Sequence, residues 1–491
     1  MTKFLALSLL LACPAPAATP FQAGAARVCI SPREPIWLAG YAARTHPSTG
    51  VAVDLWAKAL AIQDGRGGRV VIVTMDLLRV PIADIAPEVK RRYGLERSQL
   101  LLNCAHNHSA PLLWEADPFT ALAPEEYAKC RRYTEGVTAD LIELVGAALR
   151  NLAPASILHG TGEAAFAANR RLRTPSGYQI AYNPDGPTDH RVPVLKIAGP
   201  DGKLRAVLFG YGCHNTTIGP ASYEVSGDYA GFAQAELERA HPGATALYLQ
   251  LCAGDQDPYP RGGLDMAQRH GRELASAVER VMDGRLQSLR GPIGTAFHAV
   301  DLALAPHTRE TFEKRLNDPS GAIVRNARAM LKEYDEGHPI RTLSYPVQAV
   351  SFGRDLSLVA LGGEPVVDYA LRARRELPNA IVAGYSNRVK GYIPSKRVLA
   401  EGGYEGGDSM IYYGLPGPFT PAVEDTIFDA MREALREARR TGVADRGRFG
   451  RRLALVVLIL AAMLVAGAAM CWEFFAGGAA WVWPLVRKVL T

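Results

Sequence analysis

Histidine and carboxylate residues end four apolar runs of this sequence: His106 and His108 the first, His214 the second, Asp255 and Asp257 the third, and Glu364 the fourth. Small residues or prolines flank each group, and glycine in particular lets a backbone turn tightly or approach a ligand closely. Imidazole and carboxylate side chains are the usual ligands of hydrolytic zinc centres, which keep one position open. Four unrelated turns are the alternative, because Gly, Asp and Pro are ordinary turn residues. The residue types therefore indicate metal-assisted or acid/base chemistry.

The apolar runs predict buried strands that would position these side chains. They cover residues 101–104, 207–211, 246–251 and 357–361. Helices are predicted between them, the longest from Pro124 to Leu149 with a proline in its first turn. Strands that alternate with helices favour an α/β architecture. Because α/β proteins commonly place their chemistry at the ends of buried strands, these ends are the expected position of the site.

Five short segments, spread between about residues 21 and 440, follow one another in a recognisable order. They are Ala105-His106-Asn107-His108-Ser109-Ala110-Pro111, Asn169-Arg170, Cys213-His214-Asn215-Thr216-Thr217, Gly363-Glu364-Pro365 and Gly403-Tyr404-Glu405-Gly406. Together they resemble motifs of the neutral/alkaline non-lysosomal ceramidases and their divergent bacterial relatives. In that family the first segment has the pattern Thr-His-Thr-His-Ser-Gly-Pro. Five motifs in order are far more specific than any one of them.

The resemblance implies a zinc amidase that cleaves N-acyl sphingoid bases, with mixed β-sheets covered by α-helices as in the family's catalytic domain. It implies His106, His214 and Glu364 as zinc ligands, and it places His108 beside the reacting centre. Arg170 corresponds to an arginine of the family's active site. The alternative for Arg170 is a solvated surface position, because it belongs to a charge-rich stretch of the sequence.

Two departures from the family pattern bear on the chemistry. The family carries Gly-Asp-Val-Ser-Pro with a nucleophilic serine, whereas this chain has Asp257 at the position of the serine. A carboxylate that attacked an amide would form a mixed anhydride, which is a poor route compared with an acyl-serine. Counted back from Tyr404, the family's metal-binding tyrosine falls on Leu399. The expected fourth ligand is therefore water, Asp257 or Tyr404.

A mechanism with metal-activated water follows as a hypothesis. Zinc lowers the pKa of a bound water from 15.7 to about 7. Asp257 or His108 would accept the proton, and Arg170 would stabilise the oxyanion or hold an anionic substrate group. Asp255, in the same motif as Asp257, is a further candidate catalytic residue. Three tyrosines of a glycine-rich segment would line a pocket or serve packing: Tyr404, Tyr412 and Tyr413.

Composition and the two termini limit the class of protein to which this sequence can belong. The chain has 491 residues, of which 48% are hydrophobic, and a net charge of only +6, so no nucleic-acid partner is expected. Seven cysteines without Cys-x-x-Cys spacing predict no disulfide framework. The predicted divisions are a signal peptide at 1–18, a hydrolase domain at 19–438, an arginine-rich linker at 439–452, a transmembrane helix at 453–470 and an aromatic and basic tail at 471–491.

These features together predict an exported, membrane-anchored and zinc-dependent hydrolase on the periplasmic or extracellular face. Its expected substrate is an amide, an N-acyl lipid or another small molecule, and the sequence assigns no oligomeric state. Two alternatives stay open. One is an esterase or amidase for a non-lipid substrate, and the other is a ligand-binding protein that has lost hydrolysis with the nucleophile. The three retained candidate ligands favour catalysis.

Overall fold

The computed structural model describes residues 21–81, 84–114 and 122–442. Its strands are β1 Phe21–Cys29, β2 Gly50–Val51, β3 Trp56–Gln63, β4 Arg69–Met75, β5 Leu100–Cys104, β6 Ala153–Glu163, β7 Ala167–Thr174, β8 Gly177–Asn183, β9 Arg191–Ala198, β10 Leu204–Tyr211, β11 Glu224–Val225, β12 Thr245–Gln250, β13 Gln256–Pro258, β14 Gln287–Ser288, β15 Ile293–Ala303, β16 Thr342–Phe352, β17 Leu356–Leu361, β18 Glu364–Pro365, β19 Ala380–Ala383 and β20 Tyr392–Ile393. The four predicted apolar strands are β5, β10, β12 and β17, so these predictions are confirmed.

Helices alternate with these strands along the chain, as the sequence predicts. They are α1 Ala86–Tyr93, α2 Pro124–Arg150, α3 Asp228–Ala240, α4 Leu264–Asp283, α5 Arg309–Arg315, α6 Gly321–Asp335, α7 Val367–Glu376, α8 Lys396–Glu401, α9 Gly403–Gly406 and α10, residues 423–442. Two short 3-10 turns cover Arg97–Gln99 and Asp408–Tyr413. Pro124 is the first residue of α2, where its missing N–H costs no helical hydrogen bond.

A mixed nine-stranded sheet forms one layer, in the order β12-β10-β9-β6-β1-β3-β4-β5 with β14 beside β6. The pairs at its two edges, β4 with β5 and β10 with β12, are parallel, and the pairs between them are antiparallel. A second sheet has the order β15-β16-β17-β19. Leucines of the two sheets share one core, among them Leu60, Leu208 and Leu358.

Helices cover the faces of the sheets that this shared core leaves open. Apolar residues of α1 and α2 pack on β3, β4 and β5. Those of α3 and α4 pack on β9, β10 and β12, and those of α7 and α10 pack on the second sheet. The observed architecture is therefore the mixed α/β fold that the sequence predicts, and the strands β5 and β17 that lead to the site are wholly buried.

The carboxyl ends of the edge strands β5 and β12 meet, which brings their loops together. The side chain of Asn103 accepts a hydrogen bond from the backbone N–H of Gln250 at 2.9 Å and donates one to its carbonyl at 3.2 Å. Residues 384–387, which follow β19, lie beside both strands and donate backbone hydrogen bonds to Gln250 and Leu102. The second sheet thereby reaches the same place as the loops after β5 and β12.

Several predictions concern residues that the structure does not describe. Among the described residues, no helix has the length and apolar character needed to cross a membrane. The predicted signal peptide, the transmembrane helix 453–470 and the tail 471–491 lie outside the described residues. Of the predicted linker, residues 439–442 form the end of the described part of α10, and the remainder lies outside.

Candidate metal centre and cavity

Four predicted site residues converge at the strand ends. His106 and His108 follow β5, His214 follows β10, and Glu364 opens β18 directly after β17. The ring centroid of His106 lies 4.9 Å from that of His108 and 5.0 Å from that of His214. Glu364 is fully buried beside them. The fold therefore gathers residues from three distant parts of the sequence into one cluster.

Backbone carbonyls fix the protonation pattern of two of these histidines. The Nδ1 atom of His106 lies 2.9 Å from the carbonyl oxygen of Leu78, and Nδ1 of His214 lies 2.7 Å from that of Ala253. A carbonyl only accepts hydrogen bonds, so each Nδ1 carries the proton and each Nε2 presents a lone pair. Burial, assisted by the charge of Arg170, lowers the pKa of His214, which keeps the ring neutral.

Both free nitrogens point at one carboxylate oxygen. Oε2 of Glu364 lies 3.0 Å from Nε2 of His106 and 3.2 Å from Nε2 of His214. Two lone pairs and a carboxylate oxygen repel one another unless a cation lies between them. Ligand atoms at about 2.0–2.2 Å from a tetrahedral zinc ion lie about 3.3–3.5 Å from one another, close to the spacing here. Carbonyl anchors on the outer nitrogens are also the usual partners of metal-binding histidines.

The backbone of His106 is itself unusual. Its φ is 55°, in the left-handed region that residues other than glycine adopt at a cost in free energy. Tyr385, whose ring centroid lies 4.7 Å from that of His106, has a φ of 49°. Such conformations persist where the surrounding structure fixes them, and they are concentrated at functional sites.

His108 faces the cluster from the side of the loop. Its ring centroid lies 4.9 Å from that of Tyr41, and neither ring nitrogen has a hydrogen-bond partner among the described residues, although both atoms are buried. The donor atoms of the three histidines lie within 4.8 Å of one another. Burial is the main cause that lowers the pKa of His108 well below its usual value. His108 is therefore a neutral imidazole whose two ring nitrogens lack a hydrogen-bond partner among the described residues.

Gly40 makes the close packing of His108 possible. Gly40 has a φ of 92°, and a Cβ atom on it would lie 2.5 Å from Nδ1 of His108. Only glycine combines this conformation with this approach. The segment before β2 therefore holds the imidazole in place by contact.

Arg170 lies in a buried network rather than on the surface, so the solvated alternative is excluded. Its Nη1 donates to Oδ1 of Asp257 at 3.1 Å, and its Nε donates to Oε1 of Glu405 at 2.8 Å. Its Nη2 donates to the hydroxyl of Tyr392 at 2.9 Å. The guanidinium is therefore held by two carboxylates and one tyrosine.

The two aspartates of the third strand end have different surroundings. Asp257 accepts hydrogen bonds from Arg170 and, at 3.3 Å, from Thr216. Burial opposes its ionisation, but the charges of Arg170 and Arg261 outweigh burial and lower the pKa of Asp257. Asp255 instead accepts the backbone N–H of Val367 at 2.7 Å, at the first turn of α7, and burial raises the pKa of Asp255 to about 7.

Tyrosine hydroxyls complete the cluster, and sequence reasoning missed the most important of them. The hydroxyl of Tyr392 lies 3.3 Å from Nε2 of His214, and Tyr392 pairs with Glu364 in the short β18–β20 ladder. Tyr413 donates a hydrogen bond to Oε1 of Glu364. The predicted ligand Tyr404 has its ring against Tyr392, with centroids 5.3 Å apart. Leu399 lies on α8 and packs against the core of the second sheet.

A cavity of about 610 Å³ opens onto the histidines. One wall consists of residues 37–42 and 111–113, in which Leu38 forms an isolated bridge with Pro111. The lining also contains four tyrosines, which include the three that the sequence predicts to line a pocket: Tyr392, Tyr404, Tyr412 and Tyr413. Its volume is in the range of small-molecule sites. Asp255 and Asp257 are not among the lining residues, whereas His106 and His108 are.

Comparison with known families gives one match that covers more than half of the chain. The family described as "neutral/alkaline non-lysosomal ceramidase, N-terminal" matches residues 21–283. This segment contains His106, His108, Arg170, His214 and Asp257, and it ends before Glu364. The three histidines of the cluster thus come from the matched segment, and the carboxylate comes from beyond it.

Individual relatives agree with this match. The chain is 22% identical to a neutral ceramidase of Pseudomonas aeruginosa, in an alignment that covers 82% of this chain and 70% of that protein. The crystal structure of neutral ceramidase from the same organism superposes with a TM-score of 0.67 at 19% identity, covering 85% of this chain and 74% of the other. A structure described as ceramidase complexed with C2 gives a TM-score of 0.65 at 18% identity, covering 88% and 76%.

Proposed function

The chain belongs to the neutral/alkaline non-lysosomal ceramidase family, and on that premise we propose that it hydrolyses amide bonds with a zinc ion held by His106, His214 and Glu364. The observation that carries the proposal is the convergence of two unprotonated Nε2 atoms on one carboxylate oxygen, at 3.0 and 3.2 Å. Two histidines and a glutamate form a ligand set of hydrolytic zinc sites. The ion would polarise the substrate carbonyl and lower the pKa of water.

We assign proton transfer to His108 rather than to Asp257. His108 lines the cavity, and both of its ring nitrogens lack a partner among the described residues. A neutral imidazole there can accept the proton of an attacking water and return it to the departing amine nitrogen. Asp257, in contrast, is bound to Arg170 and Thr216, which reduces its basicity.

We assign stabilisation of the oxyanion to Tyr392, and we assign the positioning of Tyr392 to Arg170. Tyr392 lines the cavity and accepts a hydrogen bond from Nη2 of Arg170 at 2.9 Å. With Nε2 of His214 bound to the metal, the hydroxyl proton of Tyr392 would be available to a substrate oxygen. Arg170 is bound to two carboxylates. Its charge is therefore largely compensated, and its contribution is to orient and polarise Tyr392.

Direct attack by water is consistent with Asp257 at the position of the family's serine. With Asp257 there, the chain lacks the hydroxyl that would form an acyl-enzyme at this place. Water attacks the carbonyl carbon, the carbon–nitrogen bond breaks, and a carboxylic acid and an amine leave. One proton passes from the water to His108 and then to the amine, so that the imidazole returns to its neutral state.

The substrate class is an amide with an apolar acyl chain. The relatives are named for ceramide hydrolysis, and the wall at residues 37–42 and 111–113 offers apolar contacts to an acyl chain. Export and anchoring by residues 453–470 belong to the same proposal and rest on the sequence alone. An anchored enzyme would meet N-acyl lipids at the membrane surface.

Binding of N-acyl lipids without hydrolysis is a second candidate function, and one observation favours it. The family's serine is replaced by Asp257, and the carboxylate of Asp257 forms an ion pair with Arg170 at 3.1 Å. A protein that binds N-acyl lipids without cleaving them would tolerate this change. Such a protein would have no need for the two anchored imidazoles or for the buried Glu364 between them.

The test is metal content together with hydrolysis, measured on the purified full-length chain. Plasma mass spectrometry should find about one zinc ion per chain, lost in His106→Ala and in His214→Ala and kept in the exposed control His338→Ala. Release of sphingosine from an N-acyl sphingosine, or of amine from simpler N-acyl amides, should require that metal. A folded wild type without metal after exposure to zinc would refute the proposal. Stoichiometric zinc without hydrolysis of any amide would favour the binding protein.

A further inference from the structure

The side chain of Gln250 holds the loop that carries His214. Gln250 is the last residue of β12 and is fully buried. Its Nε2 donates a hydrogen bond to the carbonyl oxygen of Cys213 at 2.7 Å, and its Oε1 accepts one from Nδ2 of Asn215 at 3.1 Å. One side chain therefore contacts the residue before His214 and the residue after it.

Asn215 continues this contact to the loop that carries His106 and His108. Its Nδ2 also donates to the carbonyl oxygen of Ala105 at 2.6 Å, directly before His106. The backbone N–H of His108 donates to the carbonyl oxygen of Asn215 at 3.4 Å. Gln250 and Asn215 together therefore join the peptide before His106 to the peptide before His214.

Burial makes this amide network a demanding way to fill space. Gln250 and Asn215 are both fully buried, and Oε1 of Gln250 receives a further hydrogen bond from the hydroxyl of Tyr248 at 2.8 Å. Buried amides are costly unless they are hydrogen-bonded, whereas apolar side chains of the same shape carry no such requirement. A buried hydrogen-bonded network fixes the relative positions of its members more narrowly than apolar contact does.

The proposed zinc ligands need such a constraint. Nε2 of His106 and Nε2 of His214 lie 3.0 and 3.2 Å from Oε2 of Glu364, and these three atoms repel one another without a cation. The carbonyl oxygens of Leu78 and Ala253 bind the Nδ1 atoms and fix the rotation of each ring. They do not set the distance between the two loops, which the hydrogen bonds of Gln250 and Asn215 span.

We propose that Gln250 is a positioning residue that sets the separation of His106 and His214 and thereby raises the affinity for zinc. It acts through the backbone of Cys213 and, by way of Asn215, through that of Ala105. The inference rests on the proposed zinc site and explains why the two ligands stay close to each other before the ion binds.

Gln250→Met tests the inference, because methionine has a similar length but forms no strong hydrogen bond. Gln348→Met is the matched control. Gln348 is also fully buried, its Nε2 donates to the carbonyl oxygens of Ser98 at 2.8 Å and Leu100 at 3.2 Å, and its Oε1 accepts from Asn387 at 2.9 Å. Leu100 is the first residue of β5, whereas His106 follows the last.

Zinc affinity is measured on the purified full-length chain by competition against a chromophoric chelator. We expect the Kd to rise about tenfold or more in Gln250→Met, as for other residues that orient metal ligands, and to keep its wild-type value in Gln348→Met. Both variants should unfold at lower urea concentration, because both lose buried hydrogen bonds. Only Gln250→Met should change the visible absorption spectrum of bound Co²⁺, which reports the arrangement of the ligands. If Gln250→Met does not fold, Gln250→Asn gives the same comparison with a shorter buried amide.

The outcomes separate this inference from the proposed function. Wild-type zinc affinity in the Gln250 variant, or an equal loss in the Gln250 and Gln348 variants, overturns the positioning role and leaves amide hydrolysis standing. Zinc binding without cleavage of any amide refutes hydrolysis, and the Kd values of the two variants then still decide the inference. A folded wild type that binds no zinc refutes both.

Discussion

Tyr413 donates a hydrogen bond to Oε1 of Glu364, the oxygen that does not face the two histidines. Oε2 alone is then directed at the Nε2 atoms of His106 and His214. In the proposed zinc site, Tyr413 would therefore hold Glu364 as a ligand through one oxygen, and Tyr413 itself lines the cavity. Residues that orient metal ligands in this way typically contribute about tenfold to a hundredfold to metal affinity.

Tyr413→Phe should weaken zinc binding by about tenfold to a hundredfold, because the carboxylate loses the hydrogen bond that fixes its rotation. Competition against a chromophoric chelator measures the affinity. Tyr412→Phe is the matched control, since Tyr412 lines the same wall but is 41% exposed. Equal zinc affinity in wild type and Tyr413→Phe would show that the contact has no role in holding the ligand.

Removal of the metal should lower the thermal stability of the protein. An ion that binds only the folded state stabilises it by about 2.7 kcal/mol at one hundred times its Kd. Calorimetry of chelator-treated protein should therefore show a lower Tm, restored by added zinc. His214→Ala should lack the zinc-dependent rise, because one of the two converging Nε2 atoms is gone. A zinc-dependent rise of wild-type size in that variant would place the ion elsewhere.

Gly40→Ala should reduce kcat while zinc stays bound. The added Cβ would lie 2.5 Å from Nδ1 of His108, so the ring must move, whereas His106 and His214 are held by backbone carbonyls. Gly67→Ala is the matched control, because Gly67 has a similar φ of 96° and a Cβ atom there would meet no other atom within 4 Å. Both variants carry the cost of a left-handed alanine, but only the first displaces His108. Equal kcat values in the two variants would contradict a role for His108 in proton transfer.

Asp257→Asn should keep substantial hydrolytic activity and lose stability. Asp257 is absent from the cavity lining, and its carboxylate pairs with Arg170 at 3.1 Å. The substitution leaves Arg170 with one carboxylate, that of Glu405 at 2.8 Å, and we expect a loss of about 1–3 kcal/mol in the free energy of unfolding. Urea denaturation and amide hydrolysis at saturating substrate measure the two effects. A variant that folds and binds zinc but has no activity would restore Asp257 as a catalytic group.

The strands and the two histidines of the proposed metal site could be predicted because their signals are local. A run of apolar residues that ends in His106 or His214 is visible within about ten residues of sequence, and all four runs are strands. The position of Glu364 was also readable from a short motif. Local patterns suffice where a single element determines the position of a side chain.

The remaining site depends on contacts between distant segments, which no local pattern records. Tyr392 reaches His214 only because β20 pairs with β18, and two residues form each of these strands. Asp255 has the same sequence neighbourhood as Asp257, yet it binds the first N–H of α7, a helix more than one hundred residues later. The compensation of Arg170 by Glu405 likewise follows from the packing of α9 near β7. Tertiary contact determined these roles, so the sequence motif alone directed attention to Tyr404 rather than to Tyr392.

Lys58, which lies outside the candidate site, should make the free energy of unfolding depend on pH. Lys58 is buried, and its Nζ donates a hydrogen bond to Glu238 at 2.7 Å. Burial lowers the pKa of Lys58 by more than the negative charges of Glu238 and Asp76 raise it, so the pKa in the folded state lies below 10.5. Below pH 10.5 the unfolded chain therefore binds the lysine proton more tightly than the folded chain does, which lowers the free energy of unfolding. This loss of stability becomes smaller as the pH rises toward 10.5. Lys58→Met should equal or exceed wild type in stability at about pH 8, since Glu238 keeps Arg27 as a partner. Urea denaturation at about pH 8 and about pH 10 should show the advantage of the variant shrinking at the higher pH. An advantage that grows with pH would mean that Glu238 stabilises the charged lysine more than burial opposes it.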